Sequence, residues 1–241
     1  MTYCFYMDKI VVSTDKMTPS DAYVCWLDIM GTKNSMSESF EKSANFILRF
    51  HAAVLSAKTT LVKIYPVMDG VYIVSSSWRY LTSALNRIMT CLAVVFLGEP
   101  NDHRFVVRGA IARGTIQHGG QITNDVCPAI FAEAGYKDQL LFGMPMIQAY
   151  SSETCAPPFG VFIHESARAV GGLQGKYYFW KRVDKITKKK SLQTELKDAL
   201  VSFFEWEGLH SFYLGLPLAK FDEYQARVKE YFGMIQDRLA Q

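Results

Sequence analysis

The sequence has few of the features that mark several large protein classes. Its five cysteines are scattered over 241 residues with no CxxC or Cys/His spacing, which argues against a disulfide framework or a zinc site and favours buried free thiols. The formal net charge is only +3. That is far from the balance of a dedicated nucleic-acid binder, so no nucleic-acid partner is expected.

Repeats, low-complexity tracts and clean linkers are also missing. The N-terminus, MTYCFYMDKIVV, lacks a basic region followed by a long apolar segment, so we predict no signal peptide, no membrane span and a cytoplasmic location. With 49% apolar residues the chain can bury one full core. We therefore expect a single domain over residues 1–241, with a core at about 22–185 and a C-terminal helical extension at about 191–240.

The most informative stretch is YVCWLDIMGTKN at residues 23–34. Its apolar start predicts a buried central strand, which ends in an acid, Asp28. A polar turn of Gly31, Thr32 and Lys33 follows. Burying a lone carboxylate is costly unless a cation or several donors meet it, and the N–H groups of a glycine turn suit phosphate.

Hydrophobic periodicity predicts the elements that follow this strand. Helices are expected over 37–56 and 78–96, and strands over 60–65, 71–75 and 104–116. The order is then strand, helix, strand, strand, helix, strand, which is the ferredoxin-like (split βαβ) arrangement of an α+β fold. We interpret His51, on the apolar face of the first helix, as a packed core histidine.

Asp69 lies in an Asp-Gly turn between two of these strands. In the split βαβ order the first and third strands are antiparallel neighbours, so Asp28 and Asp69 emerge at the same edge of the sheet. Two converging carboxylates repel each other unless a divalent cation neutralises them. Taken singly, Asp28 has a simpler explanation as a cap of the next turn, and Asp69 as an ordinary hairpin residue.

The second half is less regular. A basic segment at 185–191 is typical of a solvated loop. The remaining pattern predicts a helix over 143–154, a short strand at 161–164, a turn or short helix at 165–170, a strand-like segment at 175–183, and two aromatic-rich helices at 191–209 and 221–240. The last two either cover the sheet or form a partner interface.

Four motifs in order resemble the class III nucleotidyl cyclases, from about residue 22 to 165. Residues beyond about 185 have no counterpart in ordinary adenylate or guanylate cyclase domains. LDIMG at 27–31 resembles the family's first metal signature, and MDGV at 68–71 resembles its second metal site. VRGAIARG at 107–114 resembles the strand after the second helix, and GMPMIQAY at 143–150 resembles the helix that completes the dimer.

This resemblance implies a mechanism and a partner. Two divalent cations, Mg²⁺ or Mn²⁺, would be held by Asp28, Asp69 and the backbone carbonyl of Ile29. They would activate the ribose 3′-hydroxyl for in-line attack on the α-phosphate and stabilise the leaving pyrophosphate. The turn at 31–33 would hold the β- and γ-phosphates. The resemblance also implies a head-to-tail homodimer with active sites at the interface, so that a lone protomer is inactive.

The base-reading positions differ from those of purine cyclases. Tyr65 stands where those enzymes carry a lysine, and Leu140 where they carry an acid or threonine, so the pair cannot supply the hydrogen bonds that select adenine or guanine. The combination looks like the Pycsar pyrimidine cyclases of bacterial antiphage defence, which make cyclic UMP or cyclic CMP for a separate effector protein. The substrate would be UTP, with CTP as the second choice, so the resemblance implies a uridylate cyclase. A second interpretation of Tyr65 is an aromatic residue that only packs across the sheet.

The family's transition-state asparagine and arginine correspond to Ile147 and Ser151, which cannot replace them. Arg113 is the candidate substitute, with Lys137 as another. Three hypotheses follow: a pyrimidine nucleotide cyclase, an adenylate or guanylate cyclase with unusual base contacts, and a catalytically degenerate cyclase-like module that binds nucleotide or a partner.

Overall fold

The computed structural model describes residues 17–122, 135–171, 175–181, 192–210 and 214–239. Its strands are β1 Ser20–Ile29, β2 Lys63–Val67, β3 Gly70–Ser75, β4 Val107–His118, β5 Leu141–Phe142, β6 Val161–Ile163 and β7 Tyr177–Tyr178. Its helices are α1 Thr32–Glu38, α2 Phe40–Leu55, α3 Trp78–Gly98, α4 Met144–Ser152, α5 Glu165–Gly171, α6 Leu192–His210 and α7 Leu218–Leu239. The predicted basic loop at 185–191 lies outside the described residues.

The strands in the described ranges form one sheet in the order β2-β3-β1-β4-β6-β7, with β5 paired to the end of β4. β1 lies between β3 and β4 and is antiparallel to both. The first four strands thus have the predicted ferredoxin-like order, and the α+β class is confirmed. Because β1 is central, both of its faces are covered, which accounts for its unbroken apolar sequence.

The two faces of β1 meet different surroundings, since successive side chains point to opposite sides of a strand. Alternate residues enter the main core beneath the helices: Tyr23, Cys25, Leu27 and Ile29. The other set lines the opposite face: Ala22, Val24 and Trp26. Asp28 has the parity of Trp26, so it belongs to that second face.

The main core lies between the sheet and helices α2, α3, α6 and α7. Aromatic residues from both C-terminal helices enter it, including Phe203 and Phe232. These helices therefore cover the sheet, which was one of the two expectations for them. By length and composition α3 would be able to cross a membrane, but half of that segment is buried here. Its apolar residues pack against the core, which explains its composition.

On the opposite face α4 runs back along β4. Near its beginning, Pro145 lies against Gly114. Ala149 packs with Trp26 in the middle, and Glu153, immediately after the helix, pairs with Arg108 near the start of β4. This helix therefore connects the two ends of the face that carries Asp28.

Several element boundaries differ from the predictions for local reasons. The helix predicted at 37–56 begins only at Phe40, because Ser39 is extended (φ −155°) and its side chain accepts a hydrogen bond from the Lys42 N–H as the cap of α2. The separate helix α1 was not predicted, and it includes Thr32 and Lys33, which were expected in a polar turn. β2 continues through Pro66, which an edge strand tolerates. Among the described cysteines Cys25 is buried, as expected, whereas Cys155 is exposed; Cys4 and Cys127 lie outside the described residues.

Candidate active site

The structure brings Asp28 and Asp69 together at one end of the sheet. Asp28 pairs with Gly70 across β1 and β3, and the backbone carbonyl of Asp69 accepts a hydrogen bond from the Ile29 N–H at 3.4 Å. Asp69 lies in the two-residue turn between β2 and β3. His51, half-exposed rather than packed in the core, donates from Nε2 to the Met68 carbonyl at 2.9 Å and thereby holds this turn.

The electrostatics of this end are dominated by carboxylates. Burial raises the pKa of Asp28 to about 7, and the charges of Asp69 and Glu153 add to the effect. The Arg108 guanidinium and the Ile29 N–H oppose it. Three carboxyl groups therefore lie near the Arg108 guanidinium, and the excess negative charge disfavours an ionised Asp28 when no cation is present.

The donor set fits a hard divalent cation that keeps some water ligands. Across the described residues no group of three or more His, Cys, Asp or Glu side chains is arranged to hold a metal ion. What the protein offers is two carboxylates and the Ile29 carbonyl, which already accepts a hydrogen bond from the Thr32 hydroxyl at 3.2 Å and keeps a second lone pair. Mg²⁺ is commonly bound in this way, through one or two carboxylates, waters and substrate phosphates.

The glycine turn adopts a shape that only a few residues tolerate. Gly31 has φ 78° and precedes α1, and its carbonyl accepts hydrogen bonds from the N–H groups of Asn34 and Ser35. Thr32 is buried while Lys33 is exposed. Of the residues predicted to hold phosphate, Lys33 thus offers a side-chain charge, whereas the Thr32 hydroxyl is used within the fold.

Gly70 is required for a reason that the sequence does not reveal. A Cβ at this position would lie 2.2 Å from the Trp26 ring and 2.9 Å from the Asp28 Oδ1. The indole therefore covers the backbone directly beside the acid, flanked by Tyr72 and Tyr150. In the sequence, Gly70 is recognisable only as part of the Asp-Gly hairpin signal.

The structure also brings Tyr65 and Leu140 to one place, at the other end of β4. The Tyr65 hydroxyl is hydrogen-bonded to Nδ1 of His118, the last residue of β4. Gly119 follows, and its N–H donates to the Leu140 carbonyl at 2.8 Å. Only 5% of Tyr65 is exposed, so its hydroxyl is engaged within the protomer and its ring also packs across the sheet. No local pattern in the sequence marks His118 as the partner of Tyr65.

The Tyr65–His118 pair makes the protein sensitive to acid. Burial and the charge of Lys63 lower the pKa of His118 to about 4, below the ordinary value of about 6.5. The unfolded chain therefore takes up the proton first as the pH falls. The stabilising effect of a neutral His118 is complete above pH 6.5 and is lost as the pH falls to about 4.

We expect His118→Gln, which keeps an acceptor for the Tyr65 hydroxyl, to reduce this sensitivity. The difference in free energy of unfolding between pH 7 and pH 5 should be smaller than in the wild type by roughly 1–2 kcal/mol. Urea titrations at the two pH values measure it. Equal differences in His118→Gln and wild type would contradict the assignment.

Arg113 does not join the acids within a protomer. Arg113 lies on β4 opposite Tyr23 of β1, five residues after Arg108, which is the β4 partner of Asp28. Because successive side chains of a strand alternate between its faces, Arg113 points away from the face that carries Asp28. There its guanidinium lies 5.3 Å from the Tyr23 ring centre and 3.5 Å from Asp21. The arginine beside the acids is Arg108, which pairs directly with Asp28.

Comparison with known proteins identifies the fold. No family model matches the sequence, and no curated protein matches it. The structure is similar to a bacterial light-regulated adenylyl cyclase, with a TM-score of 0.51, 9% identity and coverage of 75% of this chain. This chain spans 56% of the length of that protein.

Two proteins from Pseudomonas aeruginosa are also similar. The adenylyl cyclase CyaB has a TM-score of 0.45 and 14% identity, with 72% of this chain and 99% of that one covered. A class III adenylyl cyclase-like ATP-binding protein has a TM-score of 0.46 and 14% identity, with 98% and 47% covered. From the first similarity, the chain has the fold of a cyclase catalytic domain.

Proposed function

We propose that the protein is a homodimeric nucleotide cyclase that converts UTP or CTP into the 3′,5′-cyclic monophosphate and pyrophosphate. The observation that carries the proposal is the meeting of Asp28 and Asp69 at one end of the sheet, beside the Gly31 turn, in a cyclase fold. Divalent cations bound there, Mg²⁺ or Mn²⁺, would lower the pKa of the 3′-hydroxyl and neutralise the leaving pyrophosphate.

The chain's own residues have distinct tasks in this proposal. Asp28, Asp69 and the Ile29 carbonyl supply the oxygen ligands. The backbone N–H groups at 31–33 and the exposed Lys33 hold the β- and γ-phosphates. The ribose 3′-hydroxyl gives its proton to a water molecule, and its oxygen attacks the α-phosphorus in line with the departing pyrophosphate. One P–O bond thus forms as another breaks.

An exposed apolar stripe on α4 supports the homodimer. Met144, Ile147 and Tyr150 are spaced by three residues and are 61%, 60% and 59% exposed. The stripe runs between the end of the face that carries Asp28 and Asp69, called the acid end, and the Tyr65–His118 end. If two copies associate through it about a two-fold axis perpendicular to α4, their α4 helices are antiparallel. The acid end of one protomer then faces the Tyr65–His118 end of its partner.

The preference for a pyrimidine is supported by the residues at the Tyr65–His118 end, where the nucleobase would bind. The buried Tyr65 ring and its His118 partner occupy space there, and Leu140 presents an aliphatic side chain beside them. None of these offers the pattern of donors and acceptors that selects a purine, and the aromatic pair leaves less room for a two-ring base. A role in antiphage signalling through a separate effector, and a cytoplasmic location, belong to the same proposal.

Neither Ile147 nor Ser151, at the α4 positions of the family's asparagine and arginine, can supply the positively charged side chain that stabilises the transition state. Lys137 lies at the Tyr65–His118 end, where its carbonyl is next to Gly119. In the antiparallel dimer this end faces the partner's acids, so Lys137 is the better candidate than Arg113. The alternative, a degenerate module that binds nucleotide without turnover, rests on the same two substitutions in α4.

The experiment is incubation of the purified protein with Mn²⁺ and UTP, CTP, ATP or GTP separately, with products identified by mass spectrometry. We expect cyclic UMP or cyclic CMP together with pyrophosphate. Cyclic AMP or cyclic GMP would overturn the pyrimidine assignment and retain the cyclase. Nucleotide binding without any cyclic product would favour the degenerate module.

A further inference from the structure

A nearly buried ion pair lies directly behind Asp28. Nε of Arg108 donates to Oε1 of Glu153, and its Nη1 donates to the hydroxyl of Tyr224 at 3.1 Å. Glu153 follows the helix α4, while Tyr224 belongs to α7 in the C-terminal extension. One guanidinium thus joins the sheet, the α4 side and the C-terminal helices.

Arg108 is also the nearest neighbour of Asp28 across the sheet. The two are directly opposed in the β1–β4 register, so their side chains leave the sheet on the same face. Among the described residues no ion pair joins them, because the guanidinium is turned to Glu153 and Tyr224. An unrestrained guanidinium beside a carboxylate tends to form a bidentate pair with it. That pair would occupy the oxygens that a cation needs.

The C-terminal helices are anchored on both sides of this group. Arg227 in α7 donates to the Thr154 carbonyl, next to Glu153, at 3.2 Å. Gly215, in the link between α6 and α7, lies so close to Asn34 of α1 that a Cβ would come within 2.6 Å of it. Tyr224 is therefore held in place by contacts with the segments that follow α4 and the Gly31 turn.

We propose that Glu153 and Tyr224 are positioning residues that hold the Arg108 guanidinium away from Asp28, so that the Asp28 carboxylate stays available to a divalent cation. The C-terminal helices are then part of the active site and not only a cover for the sheet. This inference rests on the proposed function, because the cation at Asp28 and Asp69 belongs to it.

Tyr224→Phe tests the inference without changing any charge. Titration of Mn²⁺ into the full-length protein, followed by the EPR signal of the free ion, gives an affinity that does not depend on turnover. Loss of one hydrogen bond to the guanidinium should raise the Kd for Mn²⁺ by about fivefold or more. Tyr80→Phe, at a more exposed tyrosine of α3, should leave it unchanged.

A second pair of variants distinguishes positioning from loss of structure. Glu153→Gln should weaken Mn²⁺ binding more than Tyr224→Phe does, since it frees the guanidinium and removes a negative charge. Arg108→Met combined with Tyr224→Phe removes the competing cation, and Mn²⁺ affinity should return to the wild-type value or exceed it. Thermal melting of each variant verifies that it is folded.

The outcomes separate this inference from the proposed function. If the wild type binds Mn²⁺, Asp69→Asn abolishes binding and Tyr224→Phe binds as tightly as wild type, the positioning role is wrong and the cation site stands. If the wild type binds no Mn²⁺, with or without nucleotide, the cation site is wrong and the inference falls with it.

Discussion

Replacement of Asp69 by asparagine is expected to lower the rate of cyclic nucleotide formation on the order of 10³-fold. Asparagine keeps the size of the side chain and a single neutral oxygen, but it removes one of the two carboxylate charges that would bind the cations. Asparagine is well tolerated in turns. The turn between β2 and β3 should therefore still form, and the loss should lie in chemistry rather than folding.

Initial rates with saturating nucleotide and Mn²⁺ measure this effect, and thermal melting shows whether the variant is folded. Asp222→Asn, the same substitution at an exposed acid of α7, provides the matched control and should keep full activity. A folded Asp69→Asn protein with undiminished turnover would contradict the assignment of the two acids as cation ligands.

Met144→Asp is expected to convert the proposed dimer into monomers and to reduce activity by at least about a hundredfold. Met144 is the first residue of α4 and lies in the exposed apolar stripe. An acid is favourable at a helix N-terminus, so the protomer should remain folded. In the interface, however, an unpaired carboxylate would lose its water, and the two-fold axis imposes that cost twice.

Analytical ultracentrifugation and initial rates at micromolar concentration test this expectation together. Leu48→Asp places the same charge on an exposed residue of α2, which lies on the other side of the sheet, and should affect neither mass nor rate. A monomeric Met144→Asp protein with wild-type activity would show that one protomer holds a complete site. In that case the proposed pairing of the acid end of one protomer with the Tyr65–His118 end of its partner would be wrong.

Local patterns account for much of the fold. The apolar run of β1, the helical spacing of α3 and the Asp-Gly signal at Asp69 are short-range features, so each predicts its element without knowledge of the rest. The ferredoxin-like order then follows from the sequence of elements, and it correctly makes β1 and β3 antiparallel neighbours. The predicted ends of helices are less accurate where a single residue sets the boundary, as the extended Ser39 does between α1 and α2.

Roles that depend on the direction of a side chain were harder to predict. Arg113 and Arg108 occupy the same strand, and only their register with β1 shows that Arg108 faces Asp28 while Arg113 points to the other side. The sequence predicts that Tyr65 reads the base, but in the structure its hydroxyl is hydrogen-bonded to His118, which is 53 residues away in the chain. No local signal marks such a contact.

By itself the sequence determined the order of the elements, the two acids and the glycine turn, because these depend on periodicity and on residues close together in the chain. Only the tertiary structure decided which groups meet at the acid end. The partners of Arg108 are 45 and 116 residues away, and packing of the C-terminal helices brings them there. Burial then sets the charge of Asp28, since removal of water from a carboxylate is a property of the folded surroundings and not of the residue.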